Sequence, residues 1–152
     1  MNTMSAITIQ RTEKTARLLK TIAQMPPGEE RLLAANAVFQ KSDPPKCDLL
    51  EALEVANGGH RLEGLTMAER ISLATLCSLD RLFVEVEGAQ KRYRVEGFDQ
   101  NGEITLAGYG KPANAPGARI KVSVKDLAGL LIHEPASTLK ERSRTNRMRQ
   151  HQ

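Results

Sequence analysis

The hydrophobic period of this chain changes once, at Arg81, and that change limits the folds open to it. Before Arg81, apolar residues recur every three or four positions, as the buried stripe of a helix requires. From Arg81 the period is two: Leu82, Val84 and Val86 alternate with Phe83, Glu85 and Glu87. That is the pattern of a strand with one face buried and one wet. Helices followed in sequence by antiparallel strands predict an α+β protein.

The helical half divides at its breakers. Thr8 to Gln24 spaces Ala16, Leu19, Ile22 and Ala23 helically, with Lys14, Arg17 and Lys20 mostly on the other side, until Pro26-Pro27-Gly28 stops it. Glu29 to Lys41 opens with acids where the helix dipole favours them, and Ser42-Asp43-Pro44-Pro45 ends it. A third helix is expected from Cys47 to Asn57, closed by Gly58-Gly59. Thr66-Met67-Ala68-Glu69 then matches a capping box ahead of Ile71, Leu73 and Leu76.

The strands order themselves as a meander. A two-residue turn at Gly88-Ala89 sets Glu85 against Arg92 outside, with Val84 against Tyr93 and Leu82 against Val95 inside. The turn Asp99-Gln100-Asn101-Gly102 brings Val95 opposite Leu106 and Glu96 opposite Thr105. Ala107 to Gly117 reads as a loop. A fourth strand, Arg119 to Val124, points Ile120, Val122 and Val124 inward and Arg119, Lys121 and Lys125 outward. A short helix from about Asp126 to His133 completes the ordered part. The expected organisation is a helical part of about four helices (1–80), an antiparallel part with a last helix (81–134) and a basic tail (135–152). The two ordered parts share one core, because neither buries enough apolar surface alone, and the sheet is either open or curled into a small barrel.

Charge is distributed as unevenly as periodicity. The chain carries 22 bases and 18 acids, and its last fourteen residues hold five of those bases with one acid. Lys140, Arg142, Arg144, Arg147 and Arg149 face only Glu141, so the preceding body, with seventeen of each, is neutral. Four of the five are arginine, whose planar guanidinium grips phosphate or carboxylate through two hydrogen bonds. Three readings fit such a stretch. It binds nucleic acid by displacing counterions, it clamps an acidic protein surface, or it is a solvated chain end. In the sheet, Arg92, Arg94, Arg119, Lys121 and Lys125 share the solvent side, and closure into a barrel would join them as a second basic surface. Glu85, Glu87, Glu96 and Glu103 lie there too, so cross-strand ion pairs compete with that reading. The basic stripe of the first helix, Arg11, Lys14, Arg17 and Lys20, is a further phosphate-facing candidate or simply a wet face.

Other chemistries find little to work with. A helix-turn-helix at residues 47–79 would present Met67, Ala68, Glu69, Arg70, Ser72 and Thr75 to DNA, a poor donor set with one arginine. Gly108-Tyr109-Gly110-Lys111 is followed by Pro112 where a phosphate loop needs Ser or Thr and a helix. Cys47, Cys77 and three dispersed histidines have no metal-ligand spacing, and no serine sits in a nucleophile elbow. No catalytic residue, cofactor or metal is therefore expected. The chain has no tryptophan, three phenylalanines and two tyrosines, so its core must be aliphatic and its stacking surfaces few. No signal peptide or membrane span is read, and two isolated cysteines suit the cytoplasm. The expectation is a small non-enzymatic accessory or regulatory protein that binds DNA or RNA through backbone charge. The alternative is an inhibitor or adaptor module whose basic tail clamps an acidic partner. The Leu- and Ala-rich helices could also support a homodimer.

Overall fold

Four helices precede a four-stranded antiparallel sheet and a fifth follows it, giving an α+β fold. The computed structural model describes residues 12–41, 45–86, 88–108 and 118–133. The Gly-rich loop 109–117, Asp43, Glu87 and the whole basic tail lie outside the described residues. Among those described, no helix is long and apolar enough to cross a membrane.

Four of the five described helices begin where a side chain takes up an orphan amide. Helix α1 (Glu13–Ala23) starts after Thr12, whose hydroxyl accepts from the Thr15 amide at 3.1 Å. That puts its start five residues after the expected Thr8. Helix α2 (Glu29–Lys41) has the expected bounds. Helix α3 (Leu49–Ala56) is shorter than expected, because Asp48 caps it by accepting from Glu51 N at 2.8 Å. Helix α4 (Met67–Ala74) carries the complete capping box: Thr66 accepts from Glu69 N, and Glu69 accepts from Thr66 N at 2.7 Å.

The sheet comprises β1 (Arg81–Val86), β2 (Ala89–Phe98), β3 (Glu103–Gly108) and β4 (Arg119–Ser123), in that spatial order. Strands β1 and β4 are its edges and do not pair, so the sheet is open rather than closed into a barrel. Helix α5 (Val124–His133) follows β4 without a loop, because the Ser123 hydroxyl accepts from Asp126 N at 3.0 Å. Val124 and Lys125 therefore belong to a helix, not to the strand where the alternation had placed them.

Two registers differ from expectation, both informatively. In the first hairpin Leu82 pairs with Tyr93, Phe83 with Arg92 and Val86 with Ala89. The strands are slipped by two residues, and Gly88, at φ +80°, falls second in the turn. A slip of two keeps every side chain on its face, so alternation alone could not have chosen between the registers. In the second hairpin Val95 faces Leu106 as expected, but Thr105 faces Gly97 rather than Glu96. The extra residue is a β-bulge between Val95 and Gly97. Val95 and Phe98 are an odd number apart and are both buried, so a regular strand would leave one of them in water. The bulge brings both into the core and leaves Glu96 outward, as alternation from Val95 sets it.

That bulge is where the helices dock. The Asn36 side chain of α2 donates to the Phe98 carbonyl and accepts from the Phe98 amide at 3.3 Å. The ladder with β1 ends at Arg81–Arg94, so Asn36 supplies the strand-like partner that β1 does not reach far enough to provide. Phe39, one turn on, packs its ring 6.3 Å from that of Phe98. Gly97 is required by this approach: a Cβ there would lie 2.6 Å from Asn36 Oδ1 and closer still to the Gln40 amide. One cluster of buried side chains then runs from Leu19 and Ile22 of α1 through Leu49 and Leu53 of α3 to Leu127 and Leu131 of α5.

Polar ties join the remaining helices. Arg70 of α4 bonds Glu54 of α3 at 2.8 Å, and Lys125 of α5 bonds Glu69 of α4 at 3.0 Å. Lys125 also donates to the Gly64 carbonyl. The Thr66 amide, then Lys125, hold the Glu69 carboxyl below its ordinary range.

Asn36→Ala strands the Phe98 amide and carbonyl and should cost about 1–3 kcal/mol in urea unfolding. Gly97→Ala should cost a comparable ~1–3 kcal/mol, and the double variant less than the two together, because shortening Asn36 removes one of the two clashes and leaves that with the Gln40 side chain. Because the Glu69 pKa is lowered on folding, its stabilisation is full above the unfolded value of 4.5 and is lost as pH falls through the folded value. Glu69→Gln can keep the cap but not the charge. Its melting temperature should therefore fall less than the wild type's between neutral pH and pH values below that range.

Candidate nucleic-acid interface

The inner face of the sheet is apolar and covered: Leu82, Val84, Tyr93, Val95, Ile104 and Leu106 are buried, with α2 against β2 and α5 against β3 and β4. The alternate residues, which form the other face, are exposed or half-buried. Across that outer face Arg81 pairs with Arg94, Arg94 with Ala107, and Ala107 with Arg119. One row crossing all four strands thus carries three arginines, with a methyl group between the second and third. At a strand spacing of about 4.8 Å, Arg94 and Arg119 rise roughly 10 Å apart over a low floor.

Arg92 and Lys121 flank this row. Arg92 lies opposite Phe83, its guanidinium carbon 5.2 Å from the ring centre. Lys121 lies opposite Thr105 and bonds Asp99 at 3.1 Å. So Arg92, Arg94, Arg119 and Lys121 do share one face, and they do so on an open sheet without any barrel closure. Arg81 belongs with them and was missed by sequence reasoning. Its signal was its place two residues before Phe83, on the outward phase of β1, and only the true register puts it beside Arg94.

Acids compete for this face, as expected. Glu96, outward as alternation set it, takes Arg119 in a two-pronged pair of 2.7 and 2.8 Å. The Arg119 guanidinium, with Arg94 adding its field, holds the Glu96 carboxyl below its ordinary range and is itself made harder to deprotonate. Asp99 is held low first by the Glu103 amide and then by Lys121. It accepts from the Asn101 and Glu103 amides, so it builds the β2–β3 turn as well as pairing. The expected pairing of Glu85 with Arg92 is replaced by Phe83 over Arg92. Lys125 has left the face for α5.

The other candidates separate from this surface. Lys140, Arg142, Arg144, Arg147 and Arg149 lie outside the described residues, as does Arg11. Lys14, Arg17 and Lys20 are exposed on α1, which packs on α2 and α3 in the helical layer, away from the arginine row. Arg17 is bonded to Glu13 at 2.8 Å. On α4, Arg70 is engaged by Glu54, which removes the one arginine a DNA-reading helix would have offered. Cys47 and Cys77 are buried free thiols, with burial, then Asp80, pushing Cys77 up to about 11. His60 is exposed. Comparison with protein-family models, curated proteins and solved structures finds no match.

Because Glu96 and a phosphate would compete for the same guanidinium, Glu96→Gln should tighten polyanion binding. The slope of log affinity against log salt should steepen by about 0.7–0.9, the share of one added phosphate contact. Fluorescence anisotropy across a salt series reads both effects.

Proposed function

We propose that this chain is a small non-enzymatic accessory or regulatory protein that binds nucleic acid through its phosphates. The observation that carries the reading is the row Arg81–Arg94–Arg119 on a sheet face over which no helix packs among the described residues, flanked by Arg92 and Lys121. Arginine matches phosphate geometry in two-pronged fashion, and several such contacts release counterions, so affinity arises without reading base sequence. The basic stretch Lys140, Arg142, Arg144, Arg147 and Arg149 would add phosphate contacts to those of the face. Two free thiols suit a reducing compartment such as the cytoplasm.

One observation favours a second reading, a protein-binding inhibitor or adaptor module whose basic stretch clamps an acidic partner. Met67 and Ile71, one turn apart on α4, are 62% and 58% exposed, and large apolar side chains left in water invite a partner protein or a second copy.

A titration of the whole chain with random-sequence DNA and RNA, single-stranded and duplex, separates the two. The nucleic-acid reading expects dissociation constants on the order of micromolar to a hundred micromolar near physiological salt, tightening steeply as salt falls. Arg94→Ala with Arg119→Ala should reduce the salt slope by about 1–2, and truncation after Ala136 should reduce it further. Absence of binding even at low salt would overturn this reading and promote the protein-docking one.

A further inference from the structure

The outer face holds one side chain that phosphate binding does not use. Phe83 is half-buried there, whereas the other described rings, Phe39, Tyr93 and Phe98, are all in the core. It is thus the one described ring on the wet side of the sheet. Phe83 has Arg92 opposite, Arg81 two residues before it on the same strand and Arg94 diagonally across. The Arg92 guanidinium carbon lies over the ring, 5.2 Å from its centre, so a cation and an aromatic ring sit together on this face.

We propose that this face takes single-stranded nucleic acid, with an unpaired base stacked on the Phe83–Arg92 pair while Arg94 and Arg119 hold the neighbouring phosphates. The proposal rests on the phosphate-binding reading above and names its substrate class. Aromatic rings and arginine planes are the two surfaces on which unpaired bases stack, and a duplex keeps its base faces covered by its own neighbours. Four strands span roughly 14 Å between edge axes, too wide for a major groove of about 12 Å. A duplex could therefore meet this face only through its outer phosphates and would offer Phe83 no base to stack on. Ala107 and Thr105, small residues on β3 between the arginines of β2 and the bases of β4, leave room at backbone level for a sugar or a second base. Stacking is indifferent to the sugar, so RNA and DNA strands share this chemistry.

The test compares one mixed-sequence oligonucleotide as single-stranded RNA, as single-stranded DNA and as a blunt DNA duplex, bound to the full chain, with Phe83→Leu and Arg92→Lys as variants. The expected result is single-strand binding at least about tenfold tighter than duplex. Phe83→Leu, which keeps apolar bulk and removes the ring, should lose about tenfold on single strands with an unchanged salt slope and melting temperature. Arg92→Lys, keeping the charge without the plane, should also weaken single-strand binding. A preference for one sugar identifies the natural strand and supports the proposal equally. Equal affinity for single strand and duplex, or a Phe83→Leu variant that binds like wild type, overturns it while leaving the phosphate reading intact. Loss of all binding at low salt by the wild type would instead remove the phosphate reading itself.

Discussion

The clasp of the Asn36 amide on the Phe98 backbone is the contact through which the helical layer grips the sheet. A strand edge left without a partner must satisfy its amide and carbonyl elsewhere, and burial makes failure expensive. Strand β2 outruns β1 at this end, and α2 supplies a side chain that imitates the missing strand. The requirement propagates in both directions. Gly97 must lack a side chain so that Asn36 can approach, and Phe39 meets Phe98 only because α2 is held there. The bulge makes Phe98 face inward, while Glu96, outward by its place after Val95, pairs with Arg119 beside it. Core packing and the arginine face thus meet at the same stretch of β2.

The arginine face exists because the fold covers its sheet on one side only. An antiparallel sheet with one apolar face needs one layer of helices, and the other face is left to water. Here Arg81 and Arg94 are direct cross-strand neighbours on that face, where repulsion would cost stability unless something offsets it. Glu96 and Asp99 offset it from below while leaving Arg94 exposed. Exposed pairs of this kind contribute no more than about 1 kcal/mol each, so a phosphate with several contacts can displace them. Paired acids tune such a surface rather than disable it.

The elements were legible in the sequence because their causes are local. The Thr66–Glu69 box lies within four residues and was found as written. The caps at Thr12, Asp48 and Ser123 act over the same span, and weighing them as heavily would have corrected the starts of α1, α3 and α5. The candidate face was legible in membership, since Arg92, Arg94, Arg119 and Lys121 follow from alternation alone. Its composition was not. Arg81 joined and Lys125 left, because one depends on register and the other on where a strand gives way to a helix.

What the sequence determined by itself was the order of helices and strands, the inward and outward sets of β1 to β4, and a neutral body joined to a basic end. Those follow from periodicity, capping and charge, which need no knowledge of distant residues. Only the tertiary structure decided the two-residue slip that puts Phe83 against Arg92, the bulge at Glu96 and the open edge closed by Asn36. A slip of two leaves the alternation unchanged, and a bulge becomes favourable only when Val95 and Phe98 must fill one core. Both choices are made by packing across 62 residues of chain between Asn36 and Phe98, which no local pattern records.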